Sequence, residues 1–230
     1  MKKTQNTELN QIDRLSNPAT STMIDRYVFS SKFTKGKKVI DASTGAGYGA
    51  GILLSLGAES VVGIDIDKNS IDAATNRFQS PFLTFKTVDI FQLNKEFTEN
   101  EFDVGVSIET FEHLPKEKIN EYLFNLNYVS KDMIVLTTPR RKSKDWHYNG
   151  GTHLYEYDQY EFKEILTNFF GKENVAVYGI NEIELPNKQV GSDLSENLEK
   201  CHVFFSIISL NNTPLYEYPF FQKEKWSFFR

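Results

Sequence analysis

The sequence contains one cysteine, Cys201, among its 230 residues. A disulfide within the chain is therefore excluded, and no spacing of cysteine and histidine suits a structural zinc site. Long apolar runs are also missing, since the longest, around 203–210, is far too short to span a bilayer, and the start MKKTQNTELNQ has no apolar signal segment. We therefore expect a cytoplasmic protein without a membrane span.

The chain also lacks any long run of one charge. It has 26 basic and 31 acidic residues, with a net charge of −5, and no polybasic stretch indicates a nucleic-acid partner. Hydrophobic residues make up 40% and aromatic residues 14% of the chain, which is enough for an ordered domain with a core.

Apolar segments that alternate with helical patterns predict an α/β fold. We expect a doubly wound, mostly parallel sheet of seven strands, with the last two, 174–178 and 203–210, forming a C-terminal antiparallel hairpin because no helix separates them. The polar stretch 186–200 between these strands is predicted to be a long loop. Residues 1–18 form a polar tip, and 19–230 form a single domain.

The strongest motif is VIDASTGAGYGA at 39–50, an apolar strand followed by Asp41 and three glycines that open a helix. Asp65 ends the second strand, 20 residues beyond Gly45, where a carboxylate can accept both hydroxyls of a ribose. The glycine spacing G-x-G-x-G differs from that of nicotinamide sites, and the absence of a following Lys-Ser or Lys-Thr excludes a Walker phosphate loop. Asp41 suits an ammonium group better than a pyrophosphate.

These motifs resemble those of the class I S-adenosylmethionine-dependent methyltransferases, which have a Rossmann-like fold. The resemblance runs from about residue 20 to 210. It is carried by DASTGAGYG (41–49), GIDID (63–67), VDI (88–90), FDVGVSIETFEHL (102–114), VLTTP (135–139) and HLYEY (153–157). The resemblance implies S-adenosylmethionine as the cofactor.

The resemblance also implies where the cofactor is bound. Its methionine part would contact Asp41 and the turn Ser43, Thr44, Gly45, Gly47 and Tyr48. Its ribose and adenine would contact Asp65, Ile66, Asp89 and Ile90, above a floor of Ile108 and Glu109. The departure is Ser43, where the family usually has glycine, and it predicts a tighter turn.

Arg26 and Tyr27, which lie ahead of the first strand, resemble a pair found in the family's branch for polysaccharide and glycan biosynthesis. In that branch an N-terminal helix covers the cofactor, so Tyr27 is a candidate cofactor contact. The alternative is a helix that only packs on the sheet.

Candidate catalytic residues follow the fourth and fifth strands, and they are Glu112, His113 and His153. A histidine that titrates near neutrality suits the base that removes the acceptor's proton, and His113 is the preferred candidate. The Glu112-His113 pair alternatively orders the loop. The run E-x-x-E-H is shared with quinone-pathway members that use a divalent metal, but we assign no metal ligand.

A lid is predicted at 140–155, where basic and aromatic residues suit an anionic acceptor such as a phosphorylated or nucleotide sugar. The aromatic tail 214–230 is predicted to pack on its own domain or to form a homodimer.

The sequence thus predicts a methyltransferase that acts on an oxygen, or less favourably a nitrogen, of a sugar, nucleotide sugar or glycan precursor. Three alternatives remain: a quinone-type or other metal-dependent O-methyltransferase, a nucleic-acid or protein methyltransferase, and a non-catalytic cofactor-binding subunit.

Overall fold

The computed structural model describes residues 18–142, 151–184, 190–211 and 215. Its strands form one eight-stranded sheet. In chain order they are β1 (Lys38–Ala42), β2 (Ser60–Asp65), β3 (Leu83–Thr87), β4 (Phe102–Ile108), β5 (Ser130–Pro139), β6 (Val175–Glu184), β7 (Val190–Ser195) and β8 (Val203–Ser209).

Helices and single 3-10 turns connect most of these strands. The helices are α1 (Pro18–Thr34), α2 (Tyr48–Ser55), α3 (Lys68–Arg77), α4 (Leu93–Glu96), α5 (Ile119–Val129) and α6 (Gln159–Phe170). Among the described residues, no helix combines the length and apolarity needed to cross a membrane.

The sheet order is β3-β2-β1-β4-β5-β8-β6-β7. The first five strands in this order run parallel, whereas β8 is antiparallel to both β5 and β6. The chain reverses direction across the sheet between β1 and β4, so the carboxyl ends of these two strands flank the crevice in which doubly wound proteins bind ligands.

Both faces of the sheet are covered because successive strand residues point to opposite sides. In β1, Val39 packs with α1 and α2, whereas Ile40 packs with α5 and α6. Phe205 and Phe204 of β8 divide between the same two faces. The sheet is thus sandwiched between two helical layers.

Helix starts follow local capping signals. Asp67 accepts hydrogen bonds from the backbone N–H groups of Asn69 and Ser70, both at 3.2 Å, at the start of α3. Asp158 and Glu161 form a complete capping box at the start of α6, as the sequence predicts.

The fold prediction is confirmed, with one strand more than expected. The loop predicted at 186–200 is wrong in part, because β7 lies within it and pairs with β6. Among the residues that the structure describes, β7 is an edge strand of the sheet, and its polar sequence VGSDLS shows no apolar alternation. Most of the N-terminal tip (1–17), the central lid (143–150) and nearly all of the aromatic tail lie outside the described residues.

Candidate active site

The turn after β1 has an unusual backbone. Ser43, Gly45 and Gly47 all have positive φ, at 67°, 55° and 80°, which suits glycine better than serine. A Cβ atom placed on Gly45 would meet no other atom within 4 Å. The turn is therefore open on that side, with room for a bound ligand.

Asp65 at the end of β2 is joined to this turn. Its Oδ2 accepts a hydrogen bond from the N–H of Gly45 and its Oδ1 accepts one from the N–H of Asp67, both at 2.9 Å. Each carboxylate oxygen can accept a second bond, so both retain capacity for a ligand hydroxyl.

Asp41 is completely buried beneath the turn. Thr44 Oγ1 donates to its Oδ2 at 2.6 Å, and the Tyr27 hydroxyl donates to its Oδ1 at 3.3 Å. Burial raises the pKa of Asp41 to about 6, because a low-dielectric environment disfavours the charged form. The bond from Tyr27 also joins α1 to the turn.

A cavity of about 250 Å³ opens at the carboxyl ends of β1, β2 and β4. Seven of the predicted site residues line it, namely Ser43, Asp65, Ile66, Asp89, Ile90, Glu109 and His113. Five lining residues were not predicted, namely Ile64, Val88, Phe91, Thr110 and Leu114. Most of these five are apolar, and only their adjacency to the predicted positions could have identified them.

Other predicted residues lie around the cavity rather than in its wall. Tyr48 packs edge-on against Phe78 and lies under the guanidinium of Arg77, which directs its ring towards α3. Ile108 is buried in the core.

The cavity fits a nucleoside in shape and chemistry. Ile66 is 69% exposed and Ile90 is buried, and both side chains line the cavity, so they offer apolar contacts to a base. Asp89 accepts a hydrogen bond from the N–H of Phe91 at 3.0 Å and has further acceptor capacity.

Glu109 connects this cavity to α1. Its Oε2 lies 3.4 Å from the guanidinium of Arg26, and Thr137 Oγ1 donates to its Oε1 at 2.8 Å. Glu109 has a φ of 51°, a left-handed conformation that places the carboxylate towards α1.

Glu112 lies behind Glu109 and is fully buried. Thr138 Oγ1 donates to Oε2 at 2.9 Å, whereas Oε1 has no hydrogen-bond partner among the described residues. Burial, with the nearby charge of Glu109, raises the pKa of Glu112 well above its ordinary value. The backbone carbonyl of Glu112 accepts bonds from Leu154 and Tyr155, which holds the loop after β5 against it.

The two predicted histidines meet at this loop. The rings of His113 and His153 lie edge to face with centroids 5.0 Å apart. Nδ1 of His113 is 2.8 Å from the carbonyl of Thr152, and Nδ1 of His153 is 2.9 Å from Glu156 Oε1. The chain segments that follow β4 and β5 therefore converge on one cluster.

The arginines at the start of the predicted lid have protein partners. Arg140 Nε donates to the carbonyl of Cys201 at 2.7 Å. Arg141 donates to Asp158 at 2.6 Å and lies 3.1 Å from Glu161. The carboxylates of Asp158 and Glu161 compensate the charge of Arg141, whereas the partner of Arg140 is a neutral carbonyl that leaves its charge uncompensated within the described part of the chain. The anionic acceptor stays a prediction.

A family model described as a methyltransferase domain matches residues 33–160, which is 128 of the 230 residues. The chain belongs to this methyltransferase family. No curated protein sequence matches the chain significantly.

Solved structures share the fold of this methyltransferase. A SAM-dependent methyltransferase from Archaeoglobus fulgidus has a TM-score of 0.61 and 19% identity, over 80% of this chain and 92% of that one. The 1,6-didemethyltoxoflavin-N1-methyltransferase of Burkholderia thailandensis, with bound 1,6-didemethyltoxoflavin and S-adenosylhomocysteine, has a TM-score of 0.60 and 14% identity, over 83% and 79%. Magnesium protoporphyrin IX methyltransferase from Synechocystis PCC 6803, with bound SAM, has a TM-score of 0.53 and 15% identity, over 80% and 75%.

The prediction that the chain is a methyltransferase is confirmed, and the structures that share its fold include ones solved with SAM or S-adenosylhomocysteine bound. The neighbours differ in the molecules named for them, so the fold does not identify the acceptor. The roles of individual site residues and the glycan-associated branch stay predictions.

Proposed function

We propose that this methyltransferase methylates a hydroxyl oxygen of a small molecule, with a sugar or glycan precursor as the acceptor class. The observation that carries the proposal is the continuity of the site. One cavity extends from Asp65 and Asp89, which suit a nucleoside, to His113, which suits a reacting hydroxyl.

The cofactor's nucleoside part would occupy the cavity. Ile66 and Ile90 would contact the adenine, Asp89 would accept from its amine, and Asp65 would accept from the ribose hydroxyls. Each of these side chains lines the cavity, and each carboxylate retains acceptor capacity beside its backbone bonds.

The methionine part would lie along the open side of Gly45. Asp41 is buried behind Thr44, so its negative charge would act on the cofactor's ammonium through the turn rather than by direct contact. The hydroxyl of Thr44 is the group between them, which gives this residue a positioning role.

When bound, the cofactor would supply a methyl group on a sulfonium. The acceptor oxygen would attack the methyl carbon in line with the C–S bond, which breaks so that the sulfur leaves as a neutral thioether. The protein's task is to align the acceptor and to remove its proton. Glu112, His113 and His153 form the cluster of titratable groups at the cavity's edge, and we assign the proton's removal to this cluster.

Two contacts support an acceptor site bounded by α1. Arg26 pairs with Glu109 and Tyr27 bonds to Asp41, so the helix that carries the pair typical of the glycan-associated branch is joined to both halves of the site. The resemblance of this pair to the glycan-associated branch is what favours a sugar-type acceptor over the other classes.

Calorimetry with S-adenosylhomocysteine and with NAD tests the cofactor assignment, and tight binding of NAD without any binding of the sulfur ligand would refute it. A thermal-shift panel in the presence of S-adenosylhomocysteine then tests the acceptor, because a ligand that binds the folded state raises the melting temperature. The panel should contain nucleotide sugars, free sugars and a catechol. A shift with the catechol alone would contradict the sugar class.

A further inference from the structure

Three side chains at the acceptor edge lie within reach of a single ion. One potential ligand atom from each of Glu112, His113 and His153 lies within 4.8 Å of the other two. The three residues come from the segment after β4 and from the loop that precedes α6, so the folded structure brings them together.

Glu112 presents an atom that lacks a partner. Its side chain is 0% exposed, Oε2 is held by Thr138, and within the described part of the chain Oε1 has no hydrogen-bond partner. A buried polar atom of this kind is costly unless something binds it. Nε2 of His113 lies 3.7 Å from Oε1, so an imidazole of the same cluster faces this atom.

Both imidazoles are held in the orientation that metal-binding histidines adopt. Nδ1 of His113 faces the carbonyl of Thr152, and Nδ1 of His153 faces the carboxylate of Glu156. A carbonyl or carboxylate accepts a hydrogen bond, so each Nδ1 carries the proton and each Nε2 offers its lone pair. Histidine ligands of metals are fixed in this way by a second layer of acceptors.

We propose that Glu112, His113 and His153 bind one divalent transition-metal ion, through the carboxylate Oε1 and the two Nε2 atoms. A set of two imidazoles and one carboxylate favours zinc, manganese, iron or cobalt over magnesium and calcium, which prefer oxygen ligands alone. Ligand atoms around a tetrahedral zinc ion lie about 3.4 Å apart, so the cluster would close by about 1 Å on binding.

This inference rests on the proposed function, because it takes the cluster's edge as the acceptor side. Three protein ligands leave a coordination position open for a substrate oxygen. A hydroxyl that binds the ion at this position would have a lowered pKa. With both Nε2 atoms on the ion, the cluster would promote loss of the proton through the ion rather than as a base, and the proton would pass to solvent before the oxygen attacks the methyl group. The site would thus select acceptors with a hydroxyl that can reach the ion.

Metal binding is best measured on enzyme without a histidine tag, stripped with a chelator and dialysed. Titration with Co²⁺ followed by visible absorption, and calorimetry with Zn²⁺ and Mn²⁺, should show one ion per chain. Glu112→Gln and His153→Ala should each weaken binding at least tenfold, and Glu156→Gln should weaken it about 10–100-fold by releasing the second ligand's ring. His202→Ala is the matched control, because this imidazole is exposed and should leave binding unchanged.

Two results would overturn the inference. One is that the wild-type enzyme binds no metal ion at concentrations up to about 1 mM, since a dissociation constant above that value is a negligible affinity. The other is an affinity that the Glu112 and His153 variants leave at the wild-type value, which would place the ion elsewhere. Binding of S-adenosylhomocysteine, measured on the same samples, separates the two proposals. If the sulfur ligand binds and the metal does not, the metal site alone fails, whereas loss of the sulfur ligand's binding in wild type refutes the proposed function.

Discussion

The carboxyl of Asp41 allows a test of how much the burial of one ionisable group lowers the free energy of unfolding. The pKa of this carboxyl rises from its ordinary value of 3.8 to about 6, chiefly through burial. Since each factor of ten in proton binding is worth about 1.4 kcal/mol, the ionised group costs the folded state about 3 kcal/mol at pH 8.

The direction of the pH effect follows from the raised pKa. Above pH 6 the carboxyl is ionised in both folded and unfolded chains, and the full cost applies. As the pH falls through 6, the folded state binds a proton before the unfolded state does, so the cost is relieved. About 1.4 kcal/mol of it should disappear between pH 8 and pH 5.

The Asp41→Asn variant removes this titration while keeping the side chain's size. The difference in unfolding free energy between variant and wild type should therefore change by about 1.4 kcal/mol from pH 8 to pH 5, in favour of the variant at pH 8. Urea denaturation at four or five pH values measures it. Asp72→Asn controls for the loss of one exposed carboxylate, which pairs with Lys68 at the surface.

A difference between Asp41→Asn and wild type that stays constant with pH would refute the reasoning. It would mean that the carboxyl is less desolvated than its complete burial implies, or that the hydrogen bonds from Thr44 and Tyr27 offset the burial. The comparison does not depend on how many hydrogen bonds the amide keeps, because such losses shift the difference equally at every pH.

Three further outcomes are expected. Asp65→Ala should weaken S-adenosylhomocysteine by about 1.5–3 kcal/mol in calorimetry, since it removes a charged acceptor and also frees the N–H of Gly45; unchanged affinity would move the ribose elsewhere. His113→Ala should lower turnover by about 10²–10⁴ with cofactor affinity nearly unaltered, and wild-type turnover would leave His113 as a loop-ordering residue. Arg141→Ala should lower the free energy of unfolding by about 1–2 kcal/mol, because it breaks a partly buried pair with Asp158 at the start of α6. The Michaelis constant for the acceptor should stay the same. A raised Michaelis constant without loss of stability would instead indicate that Arg141 binds an anionic acceptor.

Local signals in the sequence predicted much of the fold. β4 spans Phe102–Ile108, where the sequence lacks polar alternation, a pattern typical of a strand covered on both faces. The capping box of Asp158 and Glu161 and the cap at Asp67 are likewise short-range patterns. β7 was missed because an edge strand is specified by pairing with a distant segment rather than by its own alternation.

The site likewise has residues that the sequence could predict and contacts that it could not. Positions such as Asp65 and Asp89 could be predicted because they stand at fixed places after strands of a known order. The bond from Tyr27 to Asp41 and the meeting of His113 with His153 depend on how separate elements pack. Arg141 shows the opposite error, since its positive charge is visible in the sequence but its partners are not.

Residues that cost the folded state stability, such as buried carboxylates and non-glycine residues with positive φ, are concentrated at the candidate active site. Asp41 and Glu112 are buried carboxylates near the carboxyl ends of the adjacent strands β1 and β4, and Ser43 and Glu109, beside them, have left-handed backbones. A left-handed conformation costs a non-glycine residue about 1–2 kcal/mol, and a buried charge costs more unless it is paired. Stability alone would favour glycine or asparagine at the two left-handed positions and apolar residues at the two buried ones. Ser43 and Glu109 line the cavity, and Asp41 and Glu112 lie buried within three residues of them along the chain. Ligand binding in that cavity explains the four unfavourable choices together, whereas a purely structural account needs a separate reason for each.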